Sequence, residues 1–297
     1  MGRKRLDGIL NLYKPAGKTS RHAIDPIARW VRPDKCGHAG TLDPLAEGVL
    51  VVCVGKATRL ISCIQEQSMV YRATFLLGQT SDTDDITGEV QINASAPVPS
   101  RADIEHVLPQ FVGAIEQVPP QYSAVHVEGQ RAYALARRGE TADLAARTVQ
   151  VDRIDLLDYV PPRLDLEIEC GSGTYIRSIG RDLGQRLGCG ALMSELVRTR
   201  IGPFDAGSAV CLEDLTPENL SAHLQPPLRA VEHLPRQTCT PEALQSLSQG
   251  RRIPLELPGV AAGASLALLT QEGALAAVGE VREEGTIQPT IVFIAGD

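Results

Sequence analysis

The chain has 297 residues, 43% of them apolar, and a formal net charge of −7. No apolar run reaches the roughly 20 residues of a membrane-spanning helix, and the basic N-terminus is not followed by the apolar core of a secretory signal. These properties argue against the membrane and secreted classes and predict a cytoplasmic globular protein with one large and one small domain.

The predicted elements are short strands and amphipathic helices. In chain order they are a strand at 8–12, a turn and helix start at 14–20, a helical stretch at 22–31 broken by Pro26, a buried strand at 49–55, a helix at 56–67, an alternating strand at 69–78, a helix at 100–115 capped by Ser100, an alternating strand at 164–170 and a helix at 174–188 that Gly188 ends.

Two segments depart from this pattern. Residues 117–150 begin with a Pro-Pro break and continue with a basic helical piece, so they are predicted to form an inserted, thumb-like lobe. Residues 240–297 hold short strands separated by Gly and Pro, which is typical of a small β-rich domain. The predicted division places a large domain at 1–235 and the small domain at 236–297.

The seven cysteines form no C-x-x-C pair, and the closest two, Cys53 and Cys63, are ten positions apart. This spacing predicts neither a zinc cluster nor a disulfide framework. Buried free thiols in a reducing cytoplasm are therefore the expectation, and no metal site is predicted.

Basic charge is concentrated in the first quarter of the chain. Residues 1–72 contain twelve Lys and Arg against six Asp and Glu, whereas residues 73–297 contain seventeen against thirty. A local basic surplus in an otherwise acidic protein is consistent with a cleft that faces phosphates.

One acidic residue, Asp43, lies in an unusual local setting within GHAGTLDPLAEGVLVVCVG. Gly37, Gly40 and Gly48 surround it and allow tight or left-handed backbone, while Pro44 biases Asp43 towards an extended conformation. The apolar run that follows is typical of a buried strand. A carboxylate on a stiff loop beside a rigid strand is a candidate catalytic group, and a simple Asp-Pro turn is the alternative.

The same stretch resembles the catalytic motif of the TruB family, the tRNA pseudouridine synthases that act on the T-loop uridine conventionally numbered 55. That family carries its essential Asp in a G-H-x-G-x-L-D-P-x-A-x-G segment, which residues 37–48 match in register. Four further segments resemble family motifs, as does the C-terminal stretch, so the resemblance spans nearly the whole chain. These segments are LNLYKPAGKTS (10–20), MVYRATFLLGQTSDTDDITGEV (69–90), CGSGTYIRSIGRDLG (170–184) and LVRTRIGPF (196–204).

The resemblance implies an α+β fold, with a pseudouridine synthase catalytic domain built on a mainly antiparallel central sheet and a small β-rich C-terminal PUA-like domain. It implies an isomerase that detaches uracil from ribose C1′ and reattaches it through C5, without a cofactor. The implied partner is tRNA, contacted at the T-stem-loop and the acceptor stem, with the target base flipped out. The basic tails of guide-RNA-dependent relatives are absent, so a monomer without an obligatory protein partner and without membrane contact is expected.

The resemblance also implies which residues form the site. Asp43, Tyr71 and Arg177 are expected to be catalytic. Asp43 would be the essential carboxylate, Arg177 the partner that keeps it ionised and oriented, and Tyr71 a stacking residue and general base. Attack of Asp43 on the base, its attack on the sugar and charge stabilisation during glycal formation all stay open.

Substrate-binding roles are implied for five further residues, which are His38, Lys14, Tyr175, Leu196 and Asp85. His38 would fill the space that the flipped base leaves, and Tyr175 would line the base pocket. Lys14 would contact phosphate or stabilise the catalytic loop, and Asp85 would support the site.

Two other motifs do not fit their families. Residues 170–176 place Ile176 where the third Gly of a dinucleotide fingerprint belongs, and the acidic run at 82–85 is followed by Ile86 at the third ligand position of a calcium loop.

An RNA-binding chaperone that helps tRNA fold is the alternative from another class of function. An intact Asp43 argues against lost catalysis.

Overall fold

The computed structural model describes residues 6–123, 125–127, 130–136 and 138–294. Its strands are β1 (Gly8–Lys14), β2 (Cys36–His38), β3 (Glu47–Val54), β4 (Met69–Leu77), β5 (Gln79–Thr80), β6 (Gln91–Ile92), β7 (Gly113–Gln117), β8 (His126–Val127), β9 (Gln130–Arg131), β10 (Arg147–Val160), β11 (Arg163–Cys170), β12 (Ala191–Ile201), β13 (Phe204–Asp205), β14 (Val210–Cys211), β15 (Arg236–Thr238), β16 (Ile253–Pro254), β17 (Ser265–Leu269), β18 (Leu275–Val281) and β19 (Thr286–Val292). Its helices are α1 (Ser20–Trp30), α2 (Ile61–Gln65), α3 (Arg101–Val107), α4 (Ala132–Ala136), α5 (Ile176–Arg186), α6 (Leu220–His223) and α7 (Pro241–Ser248).

A large sheet forms the centre of the protein, with its strands in the order β14-β1-β3-β12-β4-β11-β10-β7. Along this path in the described residues, neighbouring strands are antiparallel except in the pairs β1–β14 and β3–β12. The mainly antiparallel α+β architecture expected from the sequence is therefore confirmed. Strands β2 and β13 extend the sheet locally, beside β3 and β12.

Strand β3 is buried on both of its faces, which explains its unbroken apolar sequence. Alternate residues of a strand point to opposite sides, and the β3 side chains divide accordingly between two hydrophobic clusters. One cluster takes Val49, Val51 and Cys53 together with residues of β4, β11 and α5. The other takes the intervening residues together with apolar side chains of β1 and α1. A strand covered on both sides cannot move easily, so it is a firm support for the loop that precedes it.

Gly48, at the start of β3, is required by the close approach of β12. Its φ is +102°, a value that favours glycine, and an added Cβ would clash with the backbone carbonyl of the paired residue Arg198. We expect Gly48→Ala to lower the free energy of unfolding by about 1–3 kcal/mol through the backbone conformation and the clash. Urea unfolding would check this against Gly17→Ala, which has a positive φ but open space around it. Equal losses in the two variants would contradict the clash.

Three predicted helices have different extents in the structure. The stretch predicted to break at Pro26 is instead one helix, α1, with Pro26 inside it. Proline removes a backbone donor to the carbonyl four residues earlier, and the residue at that position, His22, is exposed to water. The helix predicted over 56–67 begins as a 3₁₀ helix and is α-helical only in α2.

The helix predicted over 100–115 is shorter than expected. Ser100 and Asp103 form a reciprocal capping box at the start of α3, which confirms Ser100 as the cap. The α-helix then ends at Val107, a 3₁₀ turn containing Pro109 follows, and residues 113–117 form strand β7. None of the helices in the described residues is long and apolar enough to cross a membrane.

A second sheet lies at the C-terminal end, with five strands in the order β15-β17-β18-β19-β16. We propose a domain division near residue 235, since β15 begins at Arg236 and the sheet has a hydrophobic cluster of its own. The sheet also packs against the rest of the chain, since Ala267, Leu269 and Val278 belong to the central hydrophobic cluster. Lys56 Nζ donates to the Phe293 carbonyl and Arg59 Nη1 to the Val292 carbonyl, each at 2.7 Å.

The predicted insertion at 117–150 leaves the large sheet at the end of β7 and returns to it at β10. It contains the short hairpin β8–β9 and helix α4, and positions 124, 128, 129 and 137 within it lie outside the described residues. Its own apolar cluster consists of Val125, Ala132, Ala142 and Leu144, and Tyr175 packs against this cluster from outside the insertion. The insertion thus contacts a predicted site residue.

Candidate active site

The loop carrying Asp43 connects β2 to β3 and is held by side chains beneath it. The Ala46 amide donates to the Asp43 carbonyl at 3.1 Å, and the Gly17 amide donates to the Pro44 carbonyl at 2.7 Å. Ser20 Oγ accepts from the Leu42 amide at 2.8 Å and donates to the Leu42 carbonyl at 3.1 Å. The loop is therefore fixed on both sides of the carboxylate.

Lys14 lies directly under this loop, with none of its surface exposed. Its ammonium donates to the backbone carbonyls of Ala46 at 2.5 Å, Pro15 at 2.9 Å and Pro44 at 3.5 Å. Of the two roles expected for Lys14, this position supports stabilisation of the loop. A phosphate could not reach the ammonium in this arrangement, so we assign Lys14 no RNA contact.

Burial lowers the pKa of Lys14 from 10.5 to about 8, against the opposing attraction of Asp43 and Glu47. Between these two pH values the unfolded chain binds more protons at this position than the folded chain, so the contribution of Lys14 to the free energy of unfolding rises with pH. We expect the stability of the wild type relative to Lys14→Met to increase between about pH 7 and about pH 10. Urea unfolding at both pH values measures this, and a difference independent of pH would contradict it.

Arg177, in the first turn of α5, connects Asp43 to the neighbouring loop. Its Nε lies 3.0 Å from Asp43 Oδ2, and its Nη1 lies 3.4 Å from Asp85 Oδ2. Nη1 also donates to the Thr83 carbonyl at 2.8 Å and Nη2 to the Tyr122 carbonyl at 3.1 Å. The guanidinium is thus fixed by four groups, and the Asp43 carboxylate is held in one orientation.

Exposure differs sharply within this cluster. The side chains of Arg177 and Asp85 are only 5% and 6% exposed, whereas the Asp43 side chain is 38% exposed. Asp85 is further fixed by Thr83 Oγ1 and by the Thr87 amide, each 2.9 Å from its Oδ1. Asp43 is the carboxylate of the cluster that a substrate could reach, and Asp85 supports Arg177 from behind.

Tyr71 lies on β4, paired with Arg198 on β12. Its hydroxyl donates to the Met69 sulfur at 3.3 Å. Burial raises the pKa of Tyr71, the positive charge of Arg198 opposes this, and the charge of Asp43 raises the pKa slightly. The phenol is therefore uncharged at neutral pH.

The remaining predicted residues surround this centre at different depths. Leu196 is 7% exposed and shares a hydrophobic cluster with Leu42 and Tyr71. His38 is half-buried on β2, its Nδ1 has no hydrogen-bond partner within the described structure, and burial lowers its pKa. Tyr175 immediately precedes α5 and is also half-buried.

Two buried polar residues were not identified as functional from the sequence. Arg198 is 1% exposed, and its guanidinium donates to the Val49 carbonyl at 2.8 Å and the Gly40 carbonyl at 3.2 Å, so it fixes both ends of the Asp43 loop. Gln117 is 2% exposed and binds the backbone of Tyr175. A charged or amide residue within an apolar strand pattern was the available signal, but it does not identify the partner.

Within the described part of the chain, no group of three or more His, Cys, Asp or Glu side chains is placed to hold a metal ion. The arrangement instead offers a fixed carboxylate and arginine, a buried phenol and an unpartnered imidazole nitrogen. Such a site can stabilise or attack an electrophilic centre with Asp43 and transfer a proton through a neighbouring group.

The chain is similar to known proteins along nearly its whole length. The family model "TruB family pseudouridylate synthase (N terminal domain)" matches residues 28–176, and "tRNA pseudouridylate synthase B C-terminal domain" matches residues 177–234. The chain is 41% identical over 303 residues to tRNA pseudouridine synthase B of Ruegeria pomeroyi, covering 99% of both chains. It is 39% identical over 293 residues to the protein of the same name from Trichormus variabilis, covering 97% of this chain and 99% of the relative.

Solved structures are similar along the same length. A chain in the crystal structure of a Cbf5-Nop10-Gar1 complex matches with a TM-score of 0.76 and 30% identity, over 97% of this chain and 85% of that chain. A chain in the structure of an H/ACA RNP bound to a substrate RNA containing 2'-deoxyuridine matches with a TM-score of 0.76 and 28% identity, over 98% and 86%. Two family models and full-length relatives therefore show that this chain belongs to the TruB family of tRNA pseudouridine synthases.

Proposed function

We propose that the protein isomerises the T-loop uridine of tRNA, conventionally numbered 55, to pseudouridine, with Asp43 as the essential carboxylate. The observation that carries this proposal is the contact between Asp43 and the buried Arg177. In that pair the arginine is enclosed while the carboxylate keeps an accessible side. Membership of the TruB family supplies the reaction, and this geometry supplies a carboxylate suited to it.

The reaction breaks the C1′–N1 bond of the nucleotide and forms a C1′–C5 bond. The proton lost from C5 is balanced by the proton gained at N1, so no co-reactant is consumed. Asp43 either forms a covalent bond to the nucleotide or stabilises charge at the base-sugar junction. Arg177 orients the carboxylate for either role through the contact of its Nε with Asp43 Oδ2 at 3.0 Å.

A uridine inside a folded T-loop has to leave its stack before it can reach Asp43. Flipping costs a few kcal/mol, which new contacts with the protein offset. We assign Tyr71 to stacking on the flipped base and Tyr175 to the wall of the base pocket. His38 is assigned to the space that the base vacates.

We further propose that the C-terminal sheet meets the acceptor stem of the same tRNA as a PUA-like module. The similar solved structures include complexes with Nop10 and Gar1, whereas the full-length relatives carry the name tRNA pseudouridine synthase B. We propose that this chain acts as a cytoplasmic monomer without an obligatory protein partner.

The test is incubation of the full-length protein with a synthetic T-stem-loop RNA, followed by carbodiimide labelling and mass spectrometry. Labelling is needed because isomerisation leaves the mass unchanged. We expect one pseudouridine at the target position and none in an RNA with cytidine there. Product at another uridine would contradict the proposed target. RNA binding without product would favour the chaperone alternative over the enzyme.

The role of Tyr71 is tested by Tyr71→Phe, which keeps the ring but removes the hydroxyl. Proton transfer by a positioned side chain contributes roughly 10²–10⁴-fold, so we expect kcat to fall by about 10²-fold with little change in RNA affinity. The hydroxyl donates to the Met69 sulfur and also interacts with the Arg198 side chain, so the free energy of unfolding should fall by about 1–2 kcal/mol. An unchanged kcat would remove Tyr71 as general base and leave it as a stacking residue.

A further inference from the structure

Gln117 uses both ends of its side-chain amide on the backbone of one residue, Tyr175. Its Nε2 donates to the Tyr175 carbonyl at 3.0 Å, and its Oε1 accepts from the Tyr175 amide at 2.7 Å. Gln117 is only 2% exposed and is the last residue of the edge strand β7. Buried amides are normally satisfied by hydrogen bonds, and this one is satisfied entirely by a residue of the candidate site.

This contact lies at the start of α5. Tyr175 is the N-cap residue of α5, and its side chain forms no capping hydrogen bond. The Tyr175 carbonyl also accepts from the Ile179 amide at 3.2 Å, so Gln117 and the first helical turn share one acceptor. Helix starts need such external partners because their first amides lack partners within the helix. Arg177 lies two residues later, in the first turn of α5, so its position depends on where the helix begins.

The same part of α5 is tied to the insertion at two more places. Ser178 Oγ and Arg181 Nη2 donate to the Val118 carbonyl at 3.1 Å and 2.9 Å, and Arg177 Nη2 donates to the Tyr122 carbonyl. The chain entering the insertion therefore holds the helix that carries Arg177.

We infer that Gln117 is a positioning residue for pseudouridine formation, which orients Tyr175 toward the flipped base and Arg177 toward Asp43 by fixing the start of α5. This inference rests on the proposed function for its catalytic consequence. Gln117 contacts neither substrate nor Asp43 in this assignment and acts only through the α5 backbone. A small displacement of positioning groups can cost roughly 10²-fold in rate.

The test compares Gln117→Met and Gln117→Glu with a matched control, Gln121→Met. Gln121 forms the same double contact with the backbone of Ala142, at 3.0 Å and 2.9 Å, but within the insertion. Gln117→Met removes both hydrogen bonds to Tyr175. Gln117→Glu is nearly isosteric, keeps the acceptor for the Tyr175 amide and loses the donor to its carbonyl.

We expect Gln117→Met to lower kcat on T-stem-loop RNA by roughly 10- to 100-fold, with the dissociation constant for RNA changed by less than about threefold. Gln117→Glu should also lower kcat, and Gln121→Met should not. Hydrogen exchange of the Tyr175 amide should be about tenfold faster in Gln117→Met and unchanged in Gln121→Met. If Gln117 only supported folding, its replacement would lower the melting temperature but would not lower kcat while leaving the dissociation constant for RNA unchanged.

Wild-type kcat in folded Gln117→Met would overturn the inference, as would an equal loss in Gln121→Met. If Gln117→Met does not fold, Gln117→Glu decides by the same criteria. If neither variant folds, Gln117 is a structural residue and the inference is wrong. If the wild-type protein forms no pseudouridine, the proposed function is refuted. Hydrogen exchange of the Tyr175 amide in the wild type and in Gln117→Met would then still test whether Gln117 fixes the start of α5.

Discussion

Asp43→Asn is expected to abolish pseudouridine formation, with kcat reduced by at least about 10⁴-fold, as for other groups on which a reaction depends. The amide has nearly the shape of the carboxylate but carries no charge and is a poor nucleophile, so the loss would come from chemistry. Since the Asp43 side chain is 38% exposed, losing its pair with Arg177 should cost only about 1 kcal/mol of stability. Single-turnover kinetics on T-stem-loop RNA, RNA binding and urea unfolding measure the three quantities.

Asp82→Asn is the matched control for this experiment. Asp82 is an exposed acid on the neighbouring loop, and its Oδ1 accepts from the Glu89 amide at 2.8 Å. We expect wild-type kcat and RNA affinity in this variant. Substantial product from Asp43→Asn, at a rate within about 10² of the wild type, would show that Asp43 is not the essential group.

Arg177→Met is expected to damage both stability and activity. It leaves the buried Asp85 carboxylate without its cationic partner and removes the donors to the Thr83 and Tyr122 carbonyls. Breaking a buried ion pair from one side costs about 3–5 kcal/mol, and we expect a loss of this size in the free energy of unfolding. Folded Arg177→Met should lose about 10²-fold or more in kcat, because Asp43 is no longer held in one orientation.

A double-mutant cycle with Asp85→Asn separates the contributions. If the unpaired carboxylate causes most of the instability, Arg177→Met combined with Asp85→Asn should be less destabilised than the sum of the single variants. Arg181→Met serves as the control on the same helix, since Arg181 is 29% exposed and pairs with Asp84; its cost should be about 1 kcal/mol. Additive losses in the cycle would contradict the arrangement around Arg177.

Local sequence pattern was sufficient for many elements of the fold. The unbroken apolar run at 49–55 predicted a buried strand, which is β3, and strict alternation at 164–170 predicted β11, whose alternate residues are indeed buried. The Ser100 cap was also recognisable. Helix lengths were less predictable, because Pro26 is tolerated where the residue four positions earlier, His22, is exposed, and because the helix after Ser100 gives way to β7.

The sequence by itself determined the candidate carboxylate and the strands of the core, because these depend on residues adjacent along the chain. The family resemblance implied Arg177 as the partner of Asp43, but only the tertiary structure decided which backbone groups hold Arg177, Arg198 and Lys14 around that carboxylate. Arg177 meets the Thr83 carbonyl 94 positions away, Arg198 meets the Val49 carbonyl 149 positions away, and Lys14 is enclosed under a loop 32 positions later. Hydrogen bonds at such separations leave no periodic signal in the sequence, since they form only when the folded sheet brings distant loops together.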